Sequence, residues 1–527
     1  MMRTSLRSLV LFRRLAPYLQ PAAFGSLLAV VGTGLACSGS DGPAGGSAGK
    51  NAATGGAGPG TGTGGGPGTA GASPSGGTGG NGTAGTGTAG TAPAAGSGGS
   101  GSGFAGGGSV AGGSGVAGGS SVAGGSTGGA SGGSAGSGTA GSGAGGAGST
   151  HWVGTWTASP YATAADGQPP NNLSLSNAVA RQITHASLGG NQIRVQFTNK
   201  EGKAPLVIKS AHVALCKATP LVDGSIDVAT DKALAFSGMP GVTIAAGMEL
   251  WSDPVDFVLP ALGNVSITTA FGSVPADITS HNGARTDSYV VANSTDVSAP
   301  NLTSAPHNQH WWFISGMDVM APAAARGIVA IGDSITDGRG VTPNANNRWT
   351  DVLAARLQAN AATANVSIMN QGIGATNLIG TGTAAEARFA RDVLGQSGVK
   401  YVIIFDGVND IGGTNNATFA AMKPVYDKLI KAGRDKSLLV YGATILPFGG
   451  NSYWSTAHEA VRKEVNTYIK SGAFDGYIDF DAAVTDGKTG TNAPSLLPAT
   501  NSADALHPGP EGYKMMGDKV DLTLFTK

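Results

Sequence analysis

The chain has 527 residues, with 32 basic and 32 acidic side chains, so its formal charge at pH 7 is zero. That balance argues against a nucleic-acid binder, which would show a basic face, and gives no reason to expect an acidic substrate. Its two cysteines, Cys37 and Cys216, exclude a disulfide framework and a Cys-based zinc site.

Residues 1–37 have the form of an export signal. Arg3, Arg7, Arg13 and Arg14 charge the start, an apolar stretch runs from about Ala22 to Val31, and small residues lead to Cys37. The apolar stretch is shorter than the roughly 20 residues of a membrane span. The ending "GLACSGS" resembles a bacterial lipoprotein cleavage site with Cys37 as the lipidated first residue, although Leu35 stands two positions before the cysteine rather than three. Ordinary cleavage beside Cys37 is the alternative. The expected location is an outer-membrane or cell-surface lipoprotein anchored through Cys37, or a secreted protein.

Residues 38–150 are Gly, Ala, Ser and Thr in loose repeats. Such a tract cannot bury enough apolar surface to offset the entropy of ordering it. It is expected to be a long disordered tether with a root-mean-square span of about 60 Å. Within it "GGSTG" matches a hydrolase serine pattern around Ser126 by composition alone, without the strand and helix that pattern requires.

Residues 151–322 predict a β-sandwich domain. In "QIRVQF", Ile193, Val195 and Phe197 alternate with polar neighbours, which is the period of a half-buried strand. "VDFVL" and "NVSITTAF" are similar, with Gly, Pro and Asn between them. From 323 to 527 the pattern changes to short apolar runs, "GIVAIG", "VSIMN", "YVIIF", "SLLVYGATI" and "GYIDF", separated by segments of helix length. Trp349, Val352, Leu353 and Leu357 recur at helical spacing. Strands alternating with helices predict an α/β domain with a parallel sheet, whose reactive groups collect beyond the carboxyl ends of the strands.

Ser334 stands at one such end, in "AIGDSITDG". Gly372 and Asn409 stand just past the next two runs, and "DALHP" holds Asp504 and His507. These residue types share a chemical logic. A serine hydroxyl becomes a nucleophile when a base takes its proton, and a histidine titrates in the right range. A carboxylate on the other ring nitrogen fixes the tautomer. The oxyanion formed on a carbonyl needs donors already in place, and the N–H groups of Ser334 and Gly372 with the amide of Asn409 are the candidates.

"GDSITDG", "NQGIGATN", "GVNDIG" and "DALHP" occur in the order of the four blocks of the SGNH, or GDSL-type, hydrolases, which this segment resembles. The resemblance implies a flavodoxin-like three-layer fold, with Ser334, Asp504 and His507 as catalytic triad and Ser334, Gly372 and Asn409 as oxyanion hole. It implies no metal and no cofactor. "NNRWTDVLAARL", "ARFARDVL" and "SGAFDGYIDFDAAV" are similar to a secreted bacterial branch labelled acetylxylan-esterase-like or arylesterase-like. The expected activity is hydrolysis of small acyl esters, such as acetyl groups on a plant polysaccharide, through an acyl-enzyme. The alternatives are an arylesterase or short-chain lipase without sugar preference and, in another class, a catalytically spent glycan-binding surface protein. Asp333, Asp406 and Asp410 are expected to be structural. His185, His212, His281, His307 and His310 show no metal-ligand spacing and read as ordinary surface or core residues. Trp152, Trp156, Trp311 and Trp312 read as packing residues, and Cys216 as a buried free thiol.

Overall fold

The computed structural model describes residues 149–527, apart from 218–220, 222, 414 and 489–492. The export signal, Cys37 and the tether lie outside the described residues, except for the tether's last two positions. The described chain falls within one compact unit.

The antiparallel layer comes first. Five strands form one sheet in the order Thr150–Thr157, Ile314–Pro322, Gly190–Thr198 and Glu249–Trp251, with Val255–Leu259 also paired to Gly190–Thr198. Ile193, Val195 and Phe197 are buried on one face of that sheet, as their alternation predicts. A second, seven-stranded antiparallel sheet is built around Ala178–His185, Asn264–Phe271 and Leu206–Leu215. Apolar side chains of both sheets, such as Val195 and Phe197 from one and Ile208 and Val265 from the other, share one buried cluster. A ribbon of three short strands, Trp311–Trp312, Thr279–His281 and Tyr161–Ala162, completes the layer. Trp156, Trp311 and Trp312 are buried, and the Trp156 and Trp311 rings meet edge to face at 4.9 Å. The Arg194 guanidinium lies over Trp152. Cys216 is free and half-buried, and burial raises its thiol to about 12.

The parallel sheet begins at Arg326, with three residues between it and Pro322. Its strands run in the order Val366–Gly372, Arg326–Gly332, Val399–Phe405, Leu439–Ala443 and Gly476–Ile478, all parallel. Numbered along the chain this order is 2-1-3-4-5, the flavodoxin-like arrangement. Ile328, Val329, Ala330 and Ile331 are all fully buried, so helices and neighbouring segments cover both sheet faces. Helix Trp349–Ala359 packs against helix Pro510–Lys519, where a side chain at Gly517 would overlap Val352 at 2.5 Å. Helices Phe419–Asp435 and Thr456–Lys470 pack against each other and on Leu439–Ala443.

The antiparallel layer closes the exposed edge of this sheet. Ser187 Oγ accepts the Ile368 N–H at 3.0 Å, and Ser367 Oγ donates to the Gly154 carbonyl at 2.7 Å. Thr157 Oγ1 donates to the Asn370 carbonyl at 3.1 Å. An edge strand left open would invite pairing with another chain, and here side chains satisfy it.

Candidate active site

The strand Arg326–Gly332 ends at a glycine because nothing larger fits. A Cβ at Gly332 would meet the Phe405 carbonyl oxygen at 2.3 Å and Thr336 Oγ1 at 2.4 Å. The chain then makes one helical turn, Ser334–Asp337. Asp333 caps it, its Oδ1 accepting the Ile335 N–H at 2.8 Å. Gly338, at φ 96°, ends it in the left-handed region. Ser334 therefore holds the first helical position, whose N–H has no partner within the helix. Asp406 and Asp410 also accept backbone N–H groups, from Gly407 and from Leu378 and Ile379. All three acids are structural acceptors, as expected.

A loop near the C-terminus brings the other partners. The Asn501 side chain accepts the N–H groups of Ala503 and Ala505, and Pro510 opens the following helix. Ser334 Oγ lies 2.8 Å from His507 Nε2, and His507 Nδ1 lies 2.6 Å from Asp504 Oδ2. Asp504 Oδ1 also accepts the N–H groups of Leu506 and His507 at 3.0 and 2.8 Å. Burial works to raise the Asp504 carboxyl, but these bonds outweigh it and hold it at about 2. An ionised Asp504 requires the hydrogen on His507 Nδ1, which leaves Nε2 free to accept from the serine. Burial pushes the His507 imidazole below its ordinary value; Asp504 opposes this, while Arg339 and Arg285 reinforce it.

Asn409 is the second residue of the short helix Val408–Gly412 and lines the same cavity. Its Nδ2 donates one hydrogen to the Thr376 carbonyl at 2.7 Å, and its Oδ1 accepts the Tyr453 hydroxyl at 3.0 Å. These two bonds fix the amide and leave one N–H hydrogen over. Gly372 is a correction. The strand runs on through Gln371 and Gly372, which pairs with Gly332, so the turn begins only at Ile373. The Gly372 N–H is already donated to Asn370 Oδ1 at 2.9 Å, and Gly372 is not on the cavity wall. Gly374 and Ala375 are on it, and Ala375 is in the left-handed region at φ 60°. Among the described residues neither of their N–H groups is donated to a protein acceptor.

The cavity holding Ser334 and His507 measures about 740 Å³. Part of its wall comes from the antiparallel layer: Tyr161, Asp166, Asn282, Arg285 and His310. This corrects the reading of the histidines. His310 faces the cavity, and burial pushes its imidazole down; His281 sits behind the wall and contacts Asp337. Asp337 itself lies one helical turn after Ser334 in the same motif, a spacing that could have flagged it. Tyr453 carried no comparable signal.

Residues 330–515 match the family model described as GDSL-like Lipase/Acylhydrolase family. No curated protein matches the chain. Among solved structures, a protein assigned to the G-D-S-L lipolytic family from Desulfitobacterium hafniense DCB-2 is 25% identical, covering 37% of this chain and 96% of its own, with a TM-score of 0.30. A GDSL-like lipase from Bacteroides thetaiotaomicron VPI-5482 is 18% identical, covering 38% and 87%, with a TM-score of 0.29. A catalytic mutant of Axe2, an acetylxylan esterase from Geobacillus stearothermophilus, is 18% identical, covering 37% and 91%, with a TM-score of 0.30. With the four sequence blocks in order and the family model matched across them, residues 330–515 are those of a GDSL-like lipase/acylhydrolase (SGNH) segment.

Proposed function

We propose that the protein is an exported serine esterase that removes small acyl groups, acetyl above all, from a polyhydroxylated alcohol such as a plant polysaccharide. The observation that carries this reading is the continuous relay from Ser334 Oγ through His507 to Asp504, opening on a cavity of about 740 Å³. In this reading His507 Nε2 takes the serine proton as Oγ attacks the ester carbonyl. The same nitrogen returns the proton to the leaving alcohol, and water then cleaves the acyl-enzyme by the same route. The N–H of Ser334, the N–H of Ala375 in place of Gly372, and the free hydrogen of Asn409 Nδ2 receive the oxyanion.

Wall chemistry favours a sugar alcohol over a fatty chain. Asp166, Asn282, Arg285, His310, Arg339, Asn451 and Ser452 offer donors and acceptors around the cavity, whereas aliphatic lining is confined to Ala164, Ala375 and Leu506. A panel of chromogenic esters from acetate to octanoate, run beside acetylated xylan, tests the reading. Acetate should turn over fastest, and acetate should be released from xylan. Faster turnover of octanoate would support a lipase instead. Absence of hydrolysis, with no labelling of Ser334 by a fluorophosphonate, would leave a binding protein.

A further inference from the structure

We propose that His281 and Arg285, both from the antiparallel layer, are positioning residues of the esterase site, acting through Asp337 on the turn that carries Ser334. The inference rests on the esterase reading above and adds a role for a layer outside the family segment.

The nucleophile turn is only four residues long, and one helical turn has little stability of its own. Its last residue, Asp337, is buried, and both carboxylate oxygens are engaged from the antiparallel layer. Oδ1 lies 2.9 Å from His281 Nε2, and Oδ2 accepts from Arg285 Nη2 at 2.6 Å. The other His281 nitrogen, Nδ1, lies 2.9 Å from the Ser159 carbonyl. Through these two contacts the ring bridges Asp337 to the Ser159 segment of the antiparallel layer. Its plane is fixed by Tyr161 and Trp311, whose rings lie 5.7 and 5.6 Å away.

The grip is reciprocal. Arg348, at the start of the helix after the nucleophile turn, donates from Nε to the Asp337 carbonyl at 2.9 Å. Its Nη2 reaches back to the carbonyls of Gly283 and Ala284 at 3.1 and 2.7 Å. The loop lies so close that a Cβ at Gly283 would fall 2.0 Å from Asp337 Oδ1. Burial works to raise the Asp337 carboxyl, but Arg285, His281 and Arg348 outweigh it and hold it at about 2, so the clamp is ionic. Ser334 Oγ must meet both the His507 nitrogen and the ester carbon, and a misplacement of about 1 Å can cost about 10²-fold in rate. His281 is not on the wall of the cavity holding Ser334, so its effect passes through Asp337 and not through bound substrate.

The test uses the full chain and two readouts: steady-state kinetics on a chromogenic acetate ester, and the rate at which a small fluorophosphonate labels Ser334 in protein shown to unfold cooperatively. His281→Ala should lower kcat about tenfold or more, leave KM within about threefold, and slow labelling in parallel. Arg285→Lys should keep more of the labelling rate than Arg285→Ala, because an ammonium retains the charge that faces Asp337. Folded His281→Ala with kcat and labelling within twofold of wild type would overturn the clamp while leaving the esterase reading intact. Should His281→Ala fail to fold, Asp337→Asn carries the same criteria, since it keeps the shape and removes the charge. Wild-type protein that neither hydrolyses the ester nor labels would instead overturn the esterase reading.

Discussion

In the parallel layer, four segments that line the cavity follow the carboxyl ends of adjacent strands, and the His507 loop joins them. In the antiparallel layer the contributions come from a three-stranded ribbon and the loop after it, at residues 281–285 and 310, with Tyr161 on the neighbouring strand. The first layer carries groups that can react. The second carries groups that hold, line and bias them. A parallel sheet gathers its strand ends at one edge by topology alone, so reacting groups placed there meet whatever covers the sheet. A covering layer shares in the site only where its side chains happen to reach, and here the reach is short because the two layers share one packed interface.

Removing a reacting group should cost most. Ser334→Ala is expected to lower kcat about 10⁴-fold or more, with no loss of folding, because the side chain is small and lies at the cavity. Turnover above a few per cent of wild type, with contamination excluded, would take the chemistry away from the parallel layer altogether.

Next in size is a donor. Asn409→Ala should lower kcat about 10²- to 10³-fold while changing KM far less, since the oxyanion gains its charge only as the transition state forms. A scaffold role would appear differently, as a lower Tm with near-normal turnover of the folded fraction. Kinetics and thermal unfolding on one preparation separate the two.

How far the sequence exposed this site follows from how local each residue's partners are. Ser334 and Asn409 were readable because a buried apolar run ends just before each. Asp504 and His507 were readable because three residues of chain already bring them within reach. Gly372 misled because Gln371 looks like the end of a strand. In the structure Gln371 is buried, and its carbonyl accepts from Arg388 Nη1 at 2.6 Å, a partner that strand periodicity does not reveal. The strand therefore runs two residues further and moves the turn to Ile373–Thr376. His281 and His310 were unreadable for a stronger reason: their partners, Asp337 and the cavity, belong to another sheet. The β-character of residues 151–322 was legible from alternation, but alternation says which face is buried and not which neighbour buries it. The antiparallel strand Ile314–Pro322 and the parallel strand Arg326–Gly332 follow each other within one compact unit.

A smaller effect tests whether the parallel layer also needs holding from within. Tyr453 has its hydroxyl on Oδ1 of the Asn409 amide, whose remaining N–H hydrogen is the proposed oxyanion donor. Tyr453→Phe deletes one neutral hydrogen bond, worth about 0.5–1.5 kcal/mol. The expected result is a loss of roughly two- to tenfold in kcat with KM little changed. In the Asn409→Ala background the same substitution should have almost no further effect on kcat, because the amide it orients is gone. Additive losses in that double-mutant cycle would show that Tyr453 acts elsewhere in the cavity.

The smallest effect sets one arginine from each layer against the same imidazole. In the proposed mechanism His507 serves as base only when neutral, so activity is expected above its folded pKa and is lost as pH falls through it. Burial first, and then Arg339 and Arg285, lower that pKa, so the acidic limb of kcat/KM should have its midpoint below the ordinary imidazole value of about 6.5. Arg339→Gln removes one cation near His507 and should move the limb to higher pH without altering the plateau. Because Arg339 is exposed, raising the salt concentration should move the wild-type limb the same way and shrink the difference between the two proteins. Arg285→Gln should also move the limb upward. It should in addition lower the plateau, because Arg285 is bonded to Asp337 and Arg339 has no such contact. An acidic limb that stays in place in both variants would mean that burial and Asp504 alone set His507. A plateau that falls equally in both would mean that the division between a reacting layer and a holding layer is drawn in the wrong place.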